Sequence, residues 1–266
     1  MDDRLAALIL GLVQGLTEFL PVSSTAHLIL VSDVMKLDAE KFGLTFDVAL
    51  HLGTALAVLL YFAGTWLGLL RDVIAGRWRL PLVVIVGTIP AAIAGVLFES
   101  AVSTTLRGAV VIAIGLLVGS AIFVIAERLG SRLRTLDRLT LVDAVVIGIA
   151  QAVALIPGIS RSGITISAGL LRGVERADAT RFAFLLATPV ILGAGAKTLL
   201  DARKLSGLTA QLDVVAIGFA VSFVSGLAAV AFMVRYLRAH SLNIFVVYRV
   251  ALAIVILAAV ALGGLT

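Results

Sequence analysis

Long uninterrupted apolar runs constrain this chain more than any other feature of its sequence. A helix needs about 20 apolar residues to cross the hydrocarbon core of a bilayer. Five runs reach or approach that length, and two shorter runs lie in the second half of the chain. The five are Thr45–Gly64, Pro81–Phe98, Gly108–Ala126, Val214–Val234 and Ile244–Leu265, and the two are Leu141–Ile156 and Phe182–Ala196. With 61% hydrophobic residues, where a soluble domain has about half, the chain is predicted to be an integral membrane protein.

The pattern of these runs predicts helices. A membrane barrel shows short segments of alternating polarity, whereas these runs are continuous, and spanning backbone must then be helical to pair its own peptide groups. We therefore expect an all-α polytopic membrane protein. The net charge of +5 comes from arginines spread over short loops, which fits loops facing anionic headgroups and gives no basis for nucleic-acid binding. The absence of cysteine excludes disulfide and thiolate chemistry.

Two polar motifs interrupt the apolar sequence. The first polar motif, residues 14–27, reads QGLTEFLPVSSTAH, and the second, residues 157–163, reads PGISRSG. The apolar segments beside them, Leu5–Val13, Val22–Val31 and Ile164–Leu171, are too short to span a bilayer alone. Short apolar segments that meet at a Pro, Gly and Ser interruption are typical of re-entrant hairpins or broken helices, which exist only where protein or water surrounds them.

The motifs belong to an internal repeat. Gly11-Leu12-Val13-Gln14 matches Gly148-Ile149-Ala150-Gln151 at an offset of 137 positions, and the same offset carries Ser24 onto Arg161. Matching interrupted segments in two halves predict inverted-topology repeats. We place repeat one at about 1–128, a basic linker at about 127–138 and repeat two at about 139–266. The linker has four arginines against two acidic residues, so it is expected on the cytoplasmic side.

The first polar motif carries groups suited to catalysis. Gln14 and Glu18 lie one helical turn apart, and a carboxylate is a ligand that Mg²⁺ or Ca²⁺ prefers. Alternatively, Glu18 could cap backbone amides near Pro21. Ser24 and His27 are three residues apart, which on a helix would let an imidazole activate a hydroxyl nucleophile. The alternative is that Ser23, Ser24 and Thr25 are helix caps or packing residues.

Three further features point to function or to packing. In the second motif, Arg161 between Ser160 and Ser162 is suited to bidentate phosphate binding. The alternative is that its side chain snorkels to the membrane interface, but we expect Arg249 rather than Arg161 to do so.

Asp47 and His51 form an i,i+4 pair that is either functional or structural. Gly115 and Gly119 fit the small-residue pattern of helix packing and provide the basis for a possible homodimer.

At these motifs the chain resembles the undecaprenyl pyrophosphate phosphatase family, also called the bacitracin-resistance family. Length, hydropathy and motif spacing agree over essentially the whole chain. The resemblance implies a cation-dependent enzyme that removes the terminal phosphate of undecaprenyl diphosphate, giving the monophosphate carrier for cell-wall synthesis. It also implies two inverted repeats with re-entrant segments. By motif position it implies that Glu18 is the essential acid, Ser24 the nucleophile, His27 its partner and Arg161 the diphosphate ligand, with Ser23, Thr25, Ser160 and Ser162 lining the pocket.

One position departs from the commonest form of that family's motif. Gln14 stands where many members have Glu, although the family is known to vary between the two. Its amide can bind phosphate or water but lends no charge to a metal. If two carboxylates are needed, we expect Asp47 to join Glu18 as a ligand of the divalent cation, Mg²⁺ or Ca²⁺.

The sequence thus predicts a multi-pass hydrolase of the plasma (inner) membrane, with an active site facing the outer or periplasmic side. Its partners would be a polyprenyl diphosphate substrate and membrane lipids. The alternative is a transporter or flippase of a polyprenyl phosphate or other anionic lipid, because inverted repeats with broken helices are typical of transporters. A Ser24–His27 pair would distinguish the two, since only a hydrolase needs a nucleophile beside a base. A purely structural subunit would leave Glu18 and Arg161 unexplained.

Overall fold

The secondary structure of this chain is helical, as predicted. A computed structural model describes residues 2–98, 100, 105–201 and 211–264. Within those ranges it contains no β-strand, only an isolated bridge between Arg134 and Val174. Eleven α-helices and two 3₁₀ turns (Thr105–Arg107 and Leu136–Arg138) make up this part of the chain. The helices are α1 Asp3–Phe19, α2 Ser24–Val34, α3 Leu44–Tyr61, α4 Ala63–Ile74, α5 Arg79–Leu97, α6 Ala109–Leu129, α7 Leu141–Val153, α8 Arg161–Leu171, α9 Arg176–Leu200, α10 Leu212–Ala239 and α11 Asn243–Ala261.

Six of these helices are long and apolar enough to cross a membrane, which makes this a multi-pass membrane protein. They are α3, α5 and α6 in the first half and α9, α10 and α11 in the second. The five long runs predicted from sequence are confirmed, although the predicted end of the last one, Leu265, lies outside the described residues. The predicted Phe182–Ala196 segment is longer in the structure, because helix geometry continues through its polar flanks to residues 176 and 200. The first run breaks at Phe62, and α4 begins at the next residue, Ala63.

The short helices form two hairpins that each return to their starting end. Asp3 begins α1, and its carboxylate accepts a 2.8 Å hydrogen bond from Lys41, which follows α2. In the second hairpin, Asp143 lies in the first turn of α7 and accepts a 2.6 Å hydrogen bond from Arg172, which follows α8. The pairs α1–α2 and α7–α8 are therefore re-entrant hairpins with the polar motifs at their tips.

The two hairpins open at opposite ends of the bundle. Arg4 on α1 pairs with Asp213 at the start of α10. At the other end of α10, about 42 Å away at 1.5 Å per residue, the backbone amide of Leu242 donates to Glu127. Arg176 also pairs with Glu127, and it lies four residues beyond Arg172, the partner of Asp143. Each half has three candidate spans, and the inverted topology of the two repeats stays a prediction.

The halves also correspond in local geometry. Helix α2 begins after Ser23 and α8 begins after Ser160, and both serines have φ of 76°. Packing is exchanged between the halves, since α1 packs on α10 while its counterpart α7 packs on α5. The largest core cluster includes Phe123 and Phe184, both buried.

The tip of the second hairpin is supported by glycines of α6. A side chain at Gly115 would collide with the Pro157 carbonyl oxygen, and one at Gly119 would lie 2.7 Å from the carbonyl oxygen of Ile159. Both glycines are buried within the chain. These glycines therefore give no basis for the predicted homodimer, because the close approach they permit is to the second polar motif of the same chain. The homodimer itself stays a prediction.

Gly115→Ala tests this close approach. We expect it to destabilise the protein by about 1–3 kcal/mol, since the added methyl group meets backbone atoms that cannot easily move. The measurement is the unfolding temperature of the purified protein in detergent. Gly95→Ala is the control, because no atom lies within 4 Å of its added carbon and alanine stabilises a helix by about 0.5–1 kcal/mol over glycine. Equal behaviour of both variants would contradict the packing described here.

Candidate active site

Two loops at the hairpin tips bind each other and place two helix N-termini together. The backbone N–H of Gly158 donates to Ser23 Oγ at 3.1 Å. In return, the Ser162 hydroxyl donates to the carbonyl oxygen of Leu20 at 3.4 Å. These bonds join loops that are 135 and 142 positions apart in the sequence. The first residues of α2 and α8, Ser24 and Arg161, therefore belong to one site, as the repeat predicted.

Both helices start from strained backbone. A positive φ in a residue other than glycine costs about 1–3 kcal/mol and is found most often at functional sites. Ser160 offsets part of this cost because its hydroxyl accepts from the backbone N–H of Gly163 at 3.3 Å. Ser23 forms no side-chain cap, because its Oγ is taken by Gly158. The first amides of α2 are therefore left uncapped by Ser23, which favours an anion at this helix N-terminus.

Glu18 lies at the centre of the site. Its carboxylate is buried, 7% exposed, and accepts hydrogen bonds from the Ser24 hydroxyl at 2.6 Å and from the Gln14 amide at 3.0 Å. Two cationic or potentially cationic groups also face it. The His51 Nε2 lies 3.4 Å from Oε2, and the Arg161 Nη1 lies 3.5 Å from Oε1. The alternative that Glu18 is a backbone cap is not what the structure has, because its partners are side chains.

Arg161 and Gln14 each keep an unused polar atom at the site. Arg161 Nη1 and Gln14 Oε1 are buried and have no hydrogen-bond partner among the described residues. A buried polar atom without a partner costs about 1–3 kcal/mol. A free guanidinium nitrogen beside uncapped helix amides is suited to a phosphate group, and a free amide oxygen is suited to a cation or a donor on the ligand.

The predicted pair of Ser24 and His27 is not formed. The Nδ1 of His27 is 2.8 Å from the carbonyl oxygen of Ser23, so it carries the proton and donates. Its Nε2 is 2.7 Å from the Tyr248 hydroxyl, and the two rings stack. The prediction from the three-residue spacing is wrong because Ser24 is the first residue of α2 and its hydroxyl points toward Glu18. The expectation that His27 is the hydrogen-bonded base of Ser24 is therefore wrong in this structure, and Glu18 occupies that position.

Asp47 is placed near the site but is paired elsewhere. Its side chain is 3.4 Å from Arg107 Nη2, while the His51 Nδ1 donates to the Asp47 backbone oxygen rather than to its carboxylate. The described residues contain no group of three or more His, Asp or Glu that could hold a metal ion. The sequence singled out His51 only as a partner of Asp47, and its contact with Glu18 was missed.

Arg249 is the residue that sequence reasoning missed most clearly. It was expected to snorkel, but it is fully buried. Its guanidinium donates to the carbonyl oxygens of Pro21 at 3.3 Å and Gly158 at 2.8 Å, one from each hairpin tip. It also donates to Ser120 Oγ at 3.1 Å and lies over the Phe123 ring. The expectation was wrong because the sequence of an apolar helix does not show what its single arginine contacts. The guanidinium could face lipid headgroups, but here it binds carbonyl oxygens of residues 91 and 228 positions away.

The remaining predicted residues lie at the same two helix starts. Ser160 Oγ and Ser162 Oγ are 3.3 Å apart, and Thr25 is half-buried in the first turn of α2. The second half has no carboxylate at the position corresponding to Glu18, since the offset of 137 relates Glu18 to Leu155. Accordingly Gln151, the counterpart of Gln14, is buried with neither amide atom paired among the described residues.

Comparison with known proteins gives consistent matches over the whole chain. Residues 7–255 match the family model of the bacitracin resistance protein BacA. A protein of Desulforudis audaxviator named undecaprenyl-diphosphatase is 44% identical over 97% of this chain and 98% of its own length. Proteins with the same name are 41% identical in Thermodesulfovibrio yellowstonii, over 96% of this chain and 97% of theirs, and 45% identical in Moorella thermoacetica, over the same shares.

Arg249→Lys tests whether the buried guanidinium joins the two loops. Lysine keeps the charge but cannot reach carbonyls on both sides with a planar fork. We expect a loss of at least about 2 kcal/mol in stability, because buried carbonyl oxygens lose their donors. The unfolding temperature in detergent measures this, with the exposed Arg238→Lys as the control, for which we expect a change within about 0.5 kcal/mol. An Arg249→Lys protein as stable as the control would contradict the role of Arg249.

Proposed function

This chain belongs to the bacitracin resistance protein BacA family, and we propose that it acts as an undecaprenyl-diphosphatase through the cluster around Glu18. It removes the terminal phosphate of undecaprenyl diphosphate, giving the monophosphate and inorganic phosphate. The observation that carries the proposal is the Ser24 hydroxyl bound at 2.6 Å to a buried carboxylate. Arg161 Nη1 lies 3.5 Å from the same carboxylate and has no hydrogen-bond partner among the described residues. The Ser24–Glu18 contact favours a hydrolase over the transporter alternative, because a transporter needs anion donors but no hydroxyl held against a base.

Substrate binding is assigned to the two helix starts. Arg161 and the first amides of α2 and α8 supply donors to the diphosphate. Hydroxyl groups of the same turns add further donors, and they belong to Ser23, Thr25, Ser160 and Ser162. The polyprenyl tail stays in the bilayer, since helices with exposed apolar faces surround the site. On phosphate binding, Arg161 exchanges its 3.5 Å approach to Glu18 for direct bonds to phosphate oxygens.

The chemical step uses Ser24 and Glu18. Glu18 accepts the Ser24 hydroxyl proton while Oγ attacks the terminal phosphorus in line. The bond from that phosphorus to the bridging oxygen breaks, and undecaprenyl phosphate leaves with the electron pair. Glu18 passes its proton to the departing undecaprenyl phosphate and becomes a carboxylate again. Water then attacks the phosphoserine, Glu18 carries one of the water protons to the leaving serine oxygen, and inorganic phosphate is released. Arg161 and the helix amides stabilise the charge on the phosphoryl oxygens in both transition states.

His27 has a positioning role in this proposal. Its Nδ1–H is held by the carbonyl oxygen of Ser23, the residue at φ 76° that precedes Ser24. The Tyr248 hydroxyl fixes the other ring nitrogen. His27 thereby supports the strained backbone that aims Ser24 at Glu18, and it touches no reacting atom.

A divalent cation, Mg²⁺ or Ca²⁺, fits the residues of the site in part. Mg²⁺ is usually held by one or two carboxylates together with substrate phosphates. Glu18 supplies one carboxylate, and Gln14 supplies an amide oxygen that is buried and unpaired. Asp47 is a weaker candidate because Arg107 already pairs with it. Once bound with substrate, such an ion would neutralise diphosphate charge.

We also propose that the protein lies in the plasma membrane with its site open to the outer side. The basic residues around Glu127 and Asp143 favour the cytoplasm for that end of the bundle. His51, which faces Glu18, is about 10 Å from the start of α3 at the opposite end. Gly115, which touches the second tip, is about 9 Å from the start of α6 and about 21 Å from its basic end. Both helices support a site nearer the outer face.

Glu18→Gln tests the base. We expect turnover to fall by about 10²–10⁴-fold, because an amide cannot take the Ser24 proton, with little change in unfolding temperature. The assay is phosphate release from undecaprenyl diphosphate in detergent micelles. Glu40→Gln, at an exposed site, should keep full activity. A Glu18→Gln enzyme with normal turnover would remove Glu18 from the mechanism, and no phosphate release by the unaltered protein with any divalent cation would overturn the proposed function.

Gln14→Glu tests the cation site. Since a second carboxylate beside Glu18 raises cation affinity, we expect half-maximal activity at about tenfold lower Mg²⁺ concentration after chelator treatment and titration. Gln151→Glu, at the corresponding position of the second half, is the control and should leave the Mg²⁺ dependence unchanged. Activity that survives chelation, or an unchanged Mg²⁺ titration in Gln14→Glu, would contradict cation binding at Glu18.

A further inference from the structure

A cavity with polar lining residues lies at the basic end of the bundle, away from the hairpin tips. It has a volume of about 450 Å³, and we call it the arginine pocket. It is formed where the end of α6, the start of α9 and the start of α11 meet. The lining residues are Val124, Glu127, Arg128, Arg132, Arg176, Ser241, Asn243, Val246 and Val247. Three guanidinium groups, one carboxylate and two uncharged polar side chains therefore face one space.

The acidic residue of the arginine pocket is fully used by the protein. Glu127 Oε1 accepts the Leu242 amide at 2.9 Å and Arg176 Nε at 3.0 Å. Its Oε2 accepts Arg132 Nη2 at 3.0 Å and also Arg176 Nη2. With one carboxylate against three arginines, the arginine pocket keeps a net positive charge.

Donors remain available in the arginine pocket. The Nε of Arg132 is buried and has no hydrogen-bond partner within the described part of the chain. Arg128, which is exposed, pairs with none of the acidic residues that the structure describes. A buried guanidinium N–H without an acceptor carries a desolvation cost, so this arrangement favours an anionic ligand with several acceptor oxygens.

The apolar side of the arginine pocket indicates which kind of molecule bears the anionic group. Val247 is 69% exposed, and with Val246 it lies in the second turn of α11, a candidate membrane span. The polar groups Ser241 and Asn243 lie at the end of the same span. A polar cavity that continues onto a lipid-facing helix matches a phospholipid, with its phosphate among arginines and its acyl chains on the apolar surface.

We propose that the arginine pocket binds the phosphate headgroup of an anionic membrane phospholipid. Arg132 and Arg128 donate to the phosphate oxygens, Ser241 and Asn243 bind the headgroup, and Val246 and Val247 contact the acyl chains. The bound lipid joins α6, α9 and α11 at this face and stabilises the folded protein. This site is independent of the diphosphate-binding site at the hairpin tips.

The experiment measures ligand-induced stabilisation of the full chain. Delipidated protein in a neutral detergent is titrated with a short-chain phosphatidylglycerol, and unfolding is followed by the fluorescence of Trp66 and Trp78. Matched titrations use the corresponding phosphatidylcholine and inorganic phosphate. We expect the anionic lipid alone to raise the unfolding temperature in a saturable way. Equal effects of both lipids, or saturation by inorganic phosphate at the same concentration, would overturn the proposal.

Two variants and one control locate the site. Arg132→Gln and Arg128→Gln should each weaken the apparent affinity for phosphatidylglycerol by about tenfold, through loss of a charge-assisted hydrogen bond. Arg128→Gln keeps both ion pairs of Glu127, so it remains informative if Arg132→Gln folds poorly. Arg138→Gln removes an exposed arginine of the same loop that does not line the cavity and should bind as the unaltered protein does. The same affinity in Arg128→Gln and Arg138→Gln would refute binding in the arginine pocket.

Discussion

The buried guanidinium of Arg249 is the interaction on which the site depends. It donates to the carbonyl oxygen of Pro21 in one hairpin tip and to that of Gly158 in the other. Neither tip has regular secondary structure, so each carries carbonyl groups that lipid could not satisfy. A buried charge is also costly unless it is hydrogen-bonded. The guanidinium supplies donors to the carbonyl groups, and the carbonyl groups supply acceptors to the buried charge. These hydrogen bonds fix the two re-entrant loops against each other.

With the loops joined, the two halves divide the chemistry. The first half supplies Glu18 and Ser24, which we propose act as base and nucleophile. The second half supplies Arg161 from the position that corresponds to Ser24 and has Leu155 where Glu18 would stand. Both keep the strained serine that starts the helix, at φ 76° in each. The repeat therefore conserves the backbone geometry that aims groups at one point, while the side chains differ according to role.

Much of this architecture could be predicted from the sequence, and the failures share one cause. Apolar length located the spans, and the offset that relates Gln14 to Gln151 located both motifs. His27 was paired with Ser24 from local spacing, but its partner is Tyr248, 221 positions away. Arg249 and His51 were missed or underrated for the same reason, since their partners come from other helices. Periodicity reports which face of a helix is apolar, and it carries no information about which distant carbonyl or carboxylate a polar residue meets.

In the mechanism that we propose, Ser24 attacks the phosphorus and water then releases the phosphate. The stereochemistry at the terminal phosphorus tests it most directly, using undecaprenyl diphosphate with a chiral, isotopically labelled thiophosphoryl end group hydrolysed in labelled water. Two successive in-line displacements invert the phosphorus twice, so we expect net retention of configuration. Net inversion would show a single attack by water and would contradict a covalent role for Ser24.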